Sequence, residues 1–331
     1  MTDPIQDGAP FDDIRALINS VPPRDNDCAE QLETALGHDP LRFLGDLSAP
    51  VTWLAGWQGT LRPDITRPLV AVFVGSHGVA QRVLDTDPAA GAAARVKLLT
   101  EGPASVRSLA ATAEAAFKIF ELGTEVPCAD MTEGPSLSER DCAAAIAFGM
   151  EVVAEGADVL VLGNAGYGAA TAAAAVARGL YGGQTEYWAG GSADIAPKRI
   201  AAVSAATKLH SDHLTDPLEI LARMGGRDIS GMVGALLAAR HQHIPVLLDG
   251  FVCCTAAAIL HHINPDAIAN CYAAHATREP GHKALLERIG KPPFLDLGIG
   301  VGDGSGAILA MGMLQSACRA ATTMADGQNF S

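Results

Sequence analysis

Aromatic residues make up only 5% of this 331-residue chain, too few for the stacked platforms that read single-stranded nucleic acids. Basic residues are short as well: 23 Lys and Arg against 37 Asp and Glu leave a net charge of −14. A field of that sign argues against nucleic acid and anionic membrane surfaces as main partners, and a phosphorylated ligand would need local cations against it. No stretch reaches the ~18 uninterrupted apolar residues of a membrane span. Met1–Pro10 holds Asp3 and Asp7 but no basic cluster, unlike a secretory signal. The seven cysteines form no Cys-x-x-Cys pair, and Cys253 and Cys254 sit adjacent in an apolar run. That pattern predicts buried, reduced thiols in a cytoplasmic protein and no metal site. There is no His-Glu-x-x-His sequence and no P-loop lysine.

What the chain has is glycine, 35 residues of it, and alanine in long apolar stretches; 49% of residues are hydrophobic. The length suits one large domain or two ordinary ones. Residues 11–60 read as helices, with Phe11, Ile14, Leu17 and Ile18 at helical spacing, broken at Pro22-Pro23-Arg24-Asp25. Beyond them, short apolar runs alternate with Ala-rich periodic segments. Strands are predicted over 69–74, 158–162 and 245–249, with a fourth over 294–297. Helices are predicted over 139–154, 169–178, 230–239 and 255–262, and in the run from Ala307 to Leu314. Continuous apolar strands separated by helices predict an α/β fold, a parallel sheet flanked by helices and Rossmann-like. Ligands in such sheets bind beyond the carboxyl ends of the strands, and each predicted strand stops at a glycine-bearing turn.

The densest of these turns runs from Gly298 to Gly306 and contains Gly302-Asp303-Gly304-Ser305-Gly306. A glycine-rich turn opening a helix presents free N–H groups and the positive end of a dipole, which suits an anion. A carboxylate inside an anion cradle is coherent if Asp303 is a base acting on a phosphorylated substrate. It is equally coherent as a plain helix cap. Gly163-Asn164-Ala165-Gly166-Tyr167-Gly168 reads as a second cradle, without the GxGxxG spacing. Gly75-Ser76-His77-Gly78 offers His77 either as a group that meets a substrate or as a structural histidine. Asp249-Gly250 either meets a ribose hydroxyl or holds a turn. Lys198 and Arg199 could neutralise a phosphate, or simply begin a solvated helix. Glu279-Pro280-Gly281-His282, His275, His261 and His262 show no metal-ligand spacing and read as structural or surface residues.

Taken in order, Gln58-Gly59-Thr60, Gly75 to Val79, Thr132-Glu133-Gly134-Pro135, Gly163 to Thr171, Gly225-Gly226-Arg227-Asp228-Ile229, Met232-Val233-Gly234-Ala235, Leu248-Asp249-Gly250-Phe251 and Gly302 to Gly306 carry a resemblance. The chain resembles the nicotinate-nucleotide:dimethylbenzimidazole phosphoribosyltransferase family, in register from about Leu54 to Ala321. The resemblance implies transfer of phosphoribose from nicotinate mononucleotide to 5,6-dimethylbenzimidazole, giving α-ribazole 5′-phosphate for the lower ligand of cobalamin. It implies a homodimer that needs no metal or organic cofactor. It also implies a large α/β domain over 61–310 and a small helical domain built from both chain ends, 1–60 and 311–331. The family's general base is a Glu in the last glycine-rich loop, and Asp303 holds that position. Ser76, His77, Gly163, Asn164, Gly166, Gly168, Lys198, Arg199, Asp249, Gly250, Gly302, Gly304 and Ser305 are the substrate-binding residues expected on this basis.

The departures from the family pattern fall in loops. Asp303 is one methylene shorter than the family Glu, which moves the carboxylate by ~1.5 Å. Asn164 stands where the family has a second Glu, and Ser76 where it has Asp or Asn. Glu101-Gly102-Pro103-Ala104-Ser105 replaces Gly-Gly-Ala-Ala, and Gly190-Gly191-Ser192-Ala193 replaces Gly-Arg-Gly-Thr-Gly. A frame kept while its loops change predicts a changed substrate, rate or role. Two readings therefore stand beside the transferase. One is a non-catalytic relative that binds a nucleotide or a partner subunit. The other is a transferase for a different aromatic acceptor, favoured if residues 98–107 line the base slot.

Overall fold

The computed structural model describes residues 9–23, 26–37 and 44–328. Among the described residues, six strands form one sheet: β1 Pro68–Gly75, β2 Ala116–Leu122, β3 Val159–Asn164, β4 Val246–Leu248, β5 Cys271–His275 and β6 Pro293–Leu295. Their spatial order is β2-β1-β3-β4-β5-β6, and every neighbouring pair is parallel. The expected α/β class holds, and β1 shows why. Leu69, Ala71 and Phe73 enter the apolar cluster on one face, while Val70, Val72 and Val74 enter the cluster on the other. That is the period-two alternation of a strand. With every β1 residue buried, helices must cover both faces.

Two strands escape the pattern of apolar runs. β2 is a partly exposed edge strand carrying Lys118 and Glu121. Charges of this kind protect a sheet edge from pairing with other chains, and they interrupt the hydrophobic run. β5 reads Cys-Tyr-Ala-Ala-His, with alanines that are poor strand formers on their own; burial between β4 and β6 decides it. The helices run Ala169–Tyr181, Arg227–His241 and Gly250–Ile263, each longer than its periodic core. The helix expected to reach Ala154 stops at Met150 and ends in a short 3₁₀ turn.

Near the chain ends, helices Asp27–Gly37 and Ser48–Gln58 pack through Leu32, Val51 and Leu54 on Leu314, Cys318 and Ala321 of the long Ser305–Gln328 helix. Helix Pro10–Asn19 inserts Phe11, Ile14 and Ile18 into the cluster on the opposite face of the sheet. The break expected at Pro22–Asp25 includes Arg24 and Asp25, which lie outside the described residues, as do residues 1–8 and 329–331. No helix among the described residues is long and apolar enough to cross a membrane.

The chain leaves β1 for β2 on one side and comes back to β3 on the other. The order of the strands therefore reverses between β1 and β3, the point at which open α/β sheets form a crevice for ligands.

Candidate active site

In this protein that crevice is filled from within. Past their carboxyl ends, β1 and β3 stay zipped together: Ala165 N donates to Phe73 O (2.9 Å), Tyr167 N to Gly75 O (2.9 Å) and His77 N to Tyr167 O (3.1 Å). Asp228, near the start of the Arg227–His241 helix, fills the space above them. Its fully buried carboxylate lies 2.9 Å from His77 Nε2 and accepts a hydrogen bond from Asn164 Nδ2 at 2.8 Å. The contact to His77 is short but poorly aligned, so it acts as an ion pair. Burial pulls the His77 pKa down, but the Asp228 charge outweighs it and holds the imidazole well above its ordinary value. Burial pushes Asp228 up; His77, Asn164 and the Ile229 N–H reverse this and keep it below the usual carboxylate range.

That carboxylate fixes Asn164. A carboxylate only accepts hydrogen bonds, so the Asn164 amide must turn its nitrogen to Asp228. Its Oδ1 then accepts from Gly166 N at 2.9 Å. A Cβ at Gly166 would overlap Asp228 Oδ2, so the glycine in this turn is required by packing.

A second buried acid anchors the last glycine-rich loop. Asp249 accepts from Gly304 N (2.6 Å) and Ala307 N (2.7 Å), and its Oδ1 lies 2.8 Å from His275 Nε2. The anion expected at this helix start is thus the protein's own Asp249. Of the two readings of Asp249, the ribose contact is corrected and the turn-holding one fits, because its side chain has no exposed surface and its oxygens hold the loop. Burial pulls the His275 pKa down, and the hydrogen bond and charge of Asp249 overcome this and raise it. Gly304 turns the chain into the helix at φ +102°, a conformation that favours glycine. Asn164 N donates to Gly302 O at 2.7 Å, which ties this loop to the end of β3. Asp303 Oδ1 accepts from Ser305 N at 3.1 Å and the residue stays partly exposed. It therefore caps the helix and faces the cleft at once.

The cleft opens beyond the ends of β3, β4 and β5, with a volume of about 210 Å³. Asn164, Thr277, Glu279 and Asp303 give it polar groups, and Leu98, Leu99, Phe251 and Val301 give it apolar wall. Arg95 adds a cation, exposed and without an ion pair among the described residues. Ala169 and Ala170 line it too, so the positive end of the Ala169–Tyr181 helix borders the space. A larger hollow, about 650 Å³, lies against helices Asp27–Gly37 and Ser48–Gln58 and shares no residue with this cleft.

The phosphoribosyltransferase family model matches residues 21–329. Proteins named nicotinate-nucleotide–dimethylbenzimidazole phosphoribosyltransferase from Brucella anthropi and Sinorhizobium medicae are each 43% identical over 324 residues, covering 96% of this chain and 96% of their own. The chain belongs to the nicotinate-nucleotide–dimethylbenzimidazole phosphoribosyltransferase family. A solved structure of the protein of that name from Thermus thermophilus matches with a TM-score of 0.81 at 28% identity, covering 90% of this chain and 96% of that one.

Within this phosphoribosyltransferase, Asn164, Gly166, Gly302 and Asp303 line the cleft. Ser76, His77, Gly163, Gly168, Gly250, Gly304 and Ser305 are not among the residues that line it; Ser305 Oγ meets Ser105 Oγ at 3.0 Å. The two expected phosphate cations are both engaged by other protein groups. Lys198 pairs with Asp85 at the surface. Arg199 is buried and donates to Gly190 O (2.7 Å) and Glu279 Oε2 (3.2 Å). The residues missed from the sequence are Arg95, Thr277, Glu279 and Asp228. Asp228 appeared only within the Gly225–Ile229 motif, ahead of the helix predicted over 230–239, and Glu279 only as a structural or surface residue; the observed helix starts at Arg227 and places Asp228 in its first turn.

Proposed function

We propose that this protein transfers phosphoribose from nicotinate mononucleotide to 5,6-dimethylbenzimidazole, giving α-ribazole 5′-phosphate. The observation that carries this reading is the Asp303 carboxylate, which lines an apolar-walled cleft together with a helix N-terminus and Arg95, in a chain 43% identical to enzymes of that name. One nitrogen of the benzimidazole attacks C1′ from the face opposite the leaving group. The C1′–N bond to nicotinate breaks, and its electron pair leaves with the pyridine nitrogen. The other benzimidazole nitrogen gives its proton to Asp303, a contribution of ~10²–10⁴-fold for a well-placed base. Leu98, Leu99 and Val301 suit the aromatic ring, and Arg95 with the helix end suits the anionic part of the nucleotide. Asp303 is the catalytic residue in this scheme, and the protein acts as a homodimer in the cytoplasm.

The wall at Leu98 and Leu99 also favours a second reading, transfer to a different aromatic acceptor, because the chain departs from the family pattern immediately after it. Single-turnover release of nicotinate from nicotinate mononucleotide, with and without dimethylbenzimidazole, tests the choice. Release that requires dimethylbenzimidazole supports the first reading, and release only with another base supports the second. Binding of the nucleotide without release would instead mark a non-catalytic relative.

A further inference from the structure

We propose that Glu279 contacts the substrate by accepting a hydrogen bond from a ribose hydroxyl of the nucleotide, and that Arg199 is its positioning residue. The inference rests on the phosphoribosyl transfer proposed above. Arg199 lies near the start of the Ala196–Leu209 helix, and its side chain is only 7% exposed. A buried guanidinium is unfavourable unless its donors are met. Here Nη1 is met by a fixed backbone carbonyl, Gly190 O, and Nη2 by the Glu279 carboxylate, while Nε is buried without a partner among the described residues. One end of the guanidinium is thus anchored while the other holds an acid at the cleft wall. Among the described residues, the bond to Arg199 engages only Oε2, which leaves Oε1 for a ligand.

The turn that carries Glu279 is held independently. Thr277 N donates to His282 Nδ1 at 2.9 Å, so that ring nitrogen is the acceptor and Nε2 carries the hydrogen. Burial depresses the His282 pKa to about 3, so this lock stays neutral at working pH. The Thr277 hydroxyl also faces His282 Nδ1, at 2.9 Å. On the other side, Gly281 sits so close to Trp188 that a Cβ would stand 2.8 Å from its ring. Glu279 is therefore preorganised, and it shares the cleft with Asp303.

The chemistry of a carboxylate selects its partner. It can only accept hydrogen bonds, and it repels the phosphate and the carboxylate of nicotinate mononucleotide. The ribose hydroxyls are the donors that this nucleotide offers. The same negative group favours the positive charge that develops on the sugar as the bond to nicotinate breaks.

The test compares kcat/KM for nicotinate mononucleotide and for its 2′-deoxy and 3′-deoxy forms in wild type, Glu279→Gln and Arg199→Lys. In wild type, removal of one of the two hydroxyls is expected to lower kcat/KM by about 10–100-fold, the range for a hydrogen bond to a charged group. Glu279→Gln should lose most of that factor on the ribonucleotide and then accept the same deoxy form with little further loss. Arg199→Lys keeps the charge but loses the fork, and should weaken discrimination against the same hydroxyl. If it fails to fold, Glu279→Gln carries the test alone. An equal loss on all three nucleotides, or no loss on any, overturns the inference while leaving the transferase in place. A wild-type protein that neither binds nor consumes nicotinate mononucleotide overturns both.

Discussion

Asp249→Asn isolates the device that holds the proposed base. The wild-type carboxylate has no exposed surface and meets three groups: Gly304 N at 2.6 Å, Ala307 N at 2.7 Å and His275 Nε2 at 2.8 Å. Gly304 bonds to Oδ2, whereas Ala307 and His275 share Oδ1. An asparagine has one oxygen to offer, and the smaller loss is to place it at the Oδ1 position. The amide nitrogen then confronts Gly304 N–H, and a buried donor loses its acceptor next to Asp303. Losing a charge-assisted bond and leaving a buried donor unpaired comes to about 3–5 kcal/mol, a large part of the ~5–15 kcal/mol that stabilises a folded domain. The unpaired Gly304 N–H should also move the loop, and a shift of ~1 Å at a catalytic group can lower turnover by roughly a hundredfold. Urea unfolding and single-turnover nicotinate release, measured on the same preparation, check both figures. A variant within about 0.5 kcal/mol of wild type, the range of an ordinary surface substitution, with turnover unchanged, would refute the anchoring argument.

Three further outcomes follow from the same geometry. The raised His77 pKa means that its share of stability is complete below ~6.5, the unfolded value, and is lost as pH climbs toward the folded value. The lowered Asp228 pKa means that its share is complete above ~3.8–3.9 and is lost as pH falls through the folded value. The difference in unfolding free energy between wild type and His77→Gln should therefore be greatest between about pH 4 and 6.5 and shrink above it; a difference that grows from pH 7 to 9 contradicts the buried ion pair. Arg95→Met should weaken calorimetric binding of nicotinate mononucleotide by about tenfold, the lower end for a charged hydrogen bond, and an unchanged Kd would remove Arg95 from the site. Lys198→Ala should leave turnover unchanged, because Lys198 is paired with Asp85 at the surface away from the cleft; a large rise in KM for the nucleotide would restore the phosphate role expected from its position in the chain.

The sheet and the last loop were legible because their signals are local. β1 and β3 are uninterrupted apolar runs, and the glycines around Asp303 mark a turn at a helix start whatever lies opposite. The roles of the buried acids were not legible, because each depends on partners brought from elsewhere. Asp249 stands out in the sequence as a ribose ligand or a turn acid, yet its partners lie 26, 55 and 58 residues away, and only they decide for the turn. Asp228 reaches Asn164 across 64 residues. Lys198 and Arg199 are neighbours in sequence, but only the fold shows that one points to the surface and the other into the protein toward Glu279. Arg95 shares the Ala-rich helix Pro88–Thr100 with a second cation, Lys97, and had no local pattern to distinguish it from a solvated side chain.

The most direct measurement is single-turnover nicotinate release with dimethylbenzimidazole by wild type, Asp303→Asn and Asp303→Glu, alongside nucleotide affinity for each. The account predicts release that requires the acceptor in wild type. It predicts a drop of at least roughly a hundredfold in Asp303→Asn with nucleotide affinity unchanged, and retained or faster release in Asp303→Glu. Equal release by wild type and Asp303→Asn would contradict the assignment of Asp303 as the base.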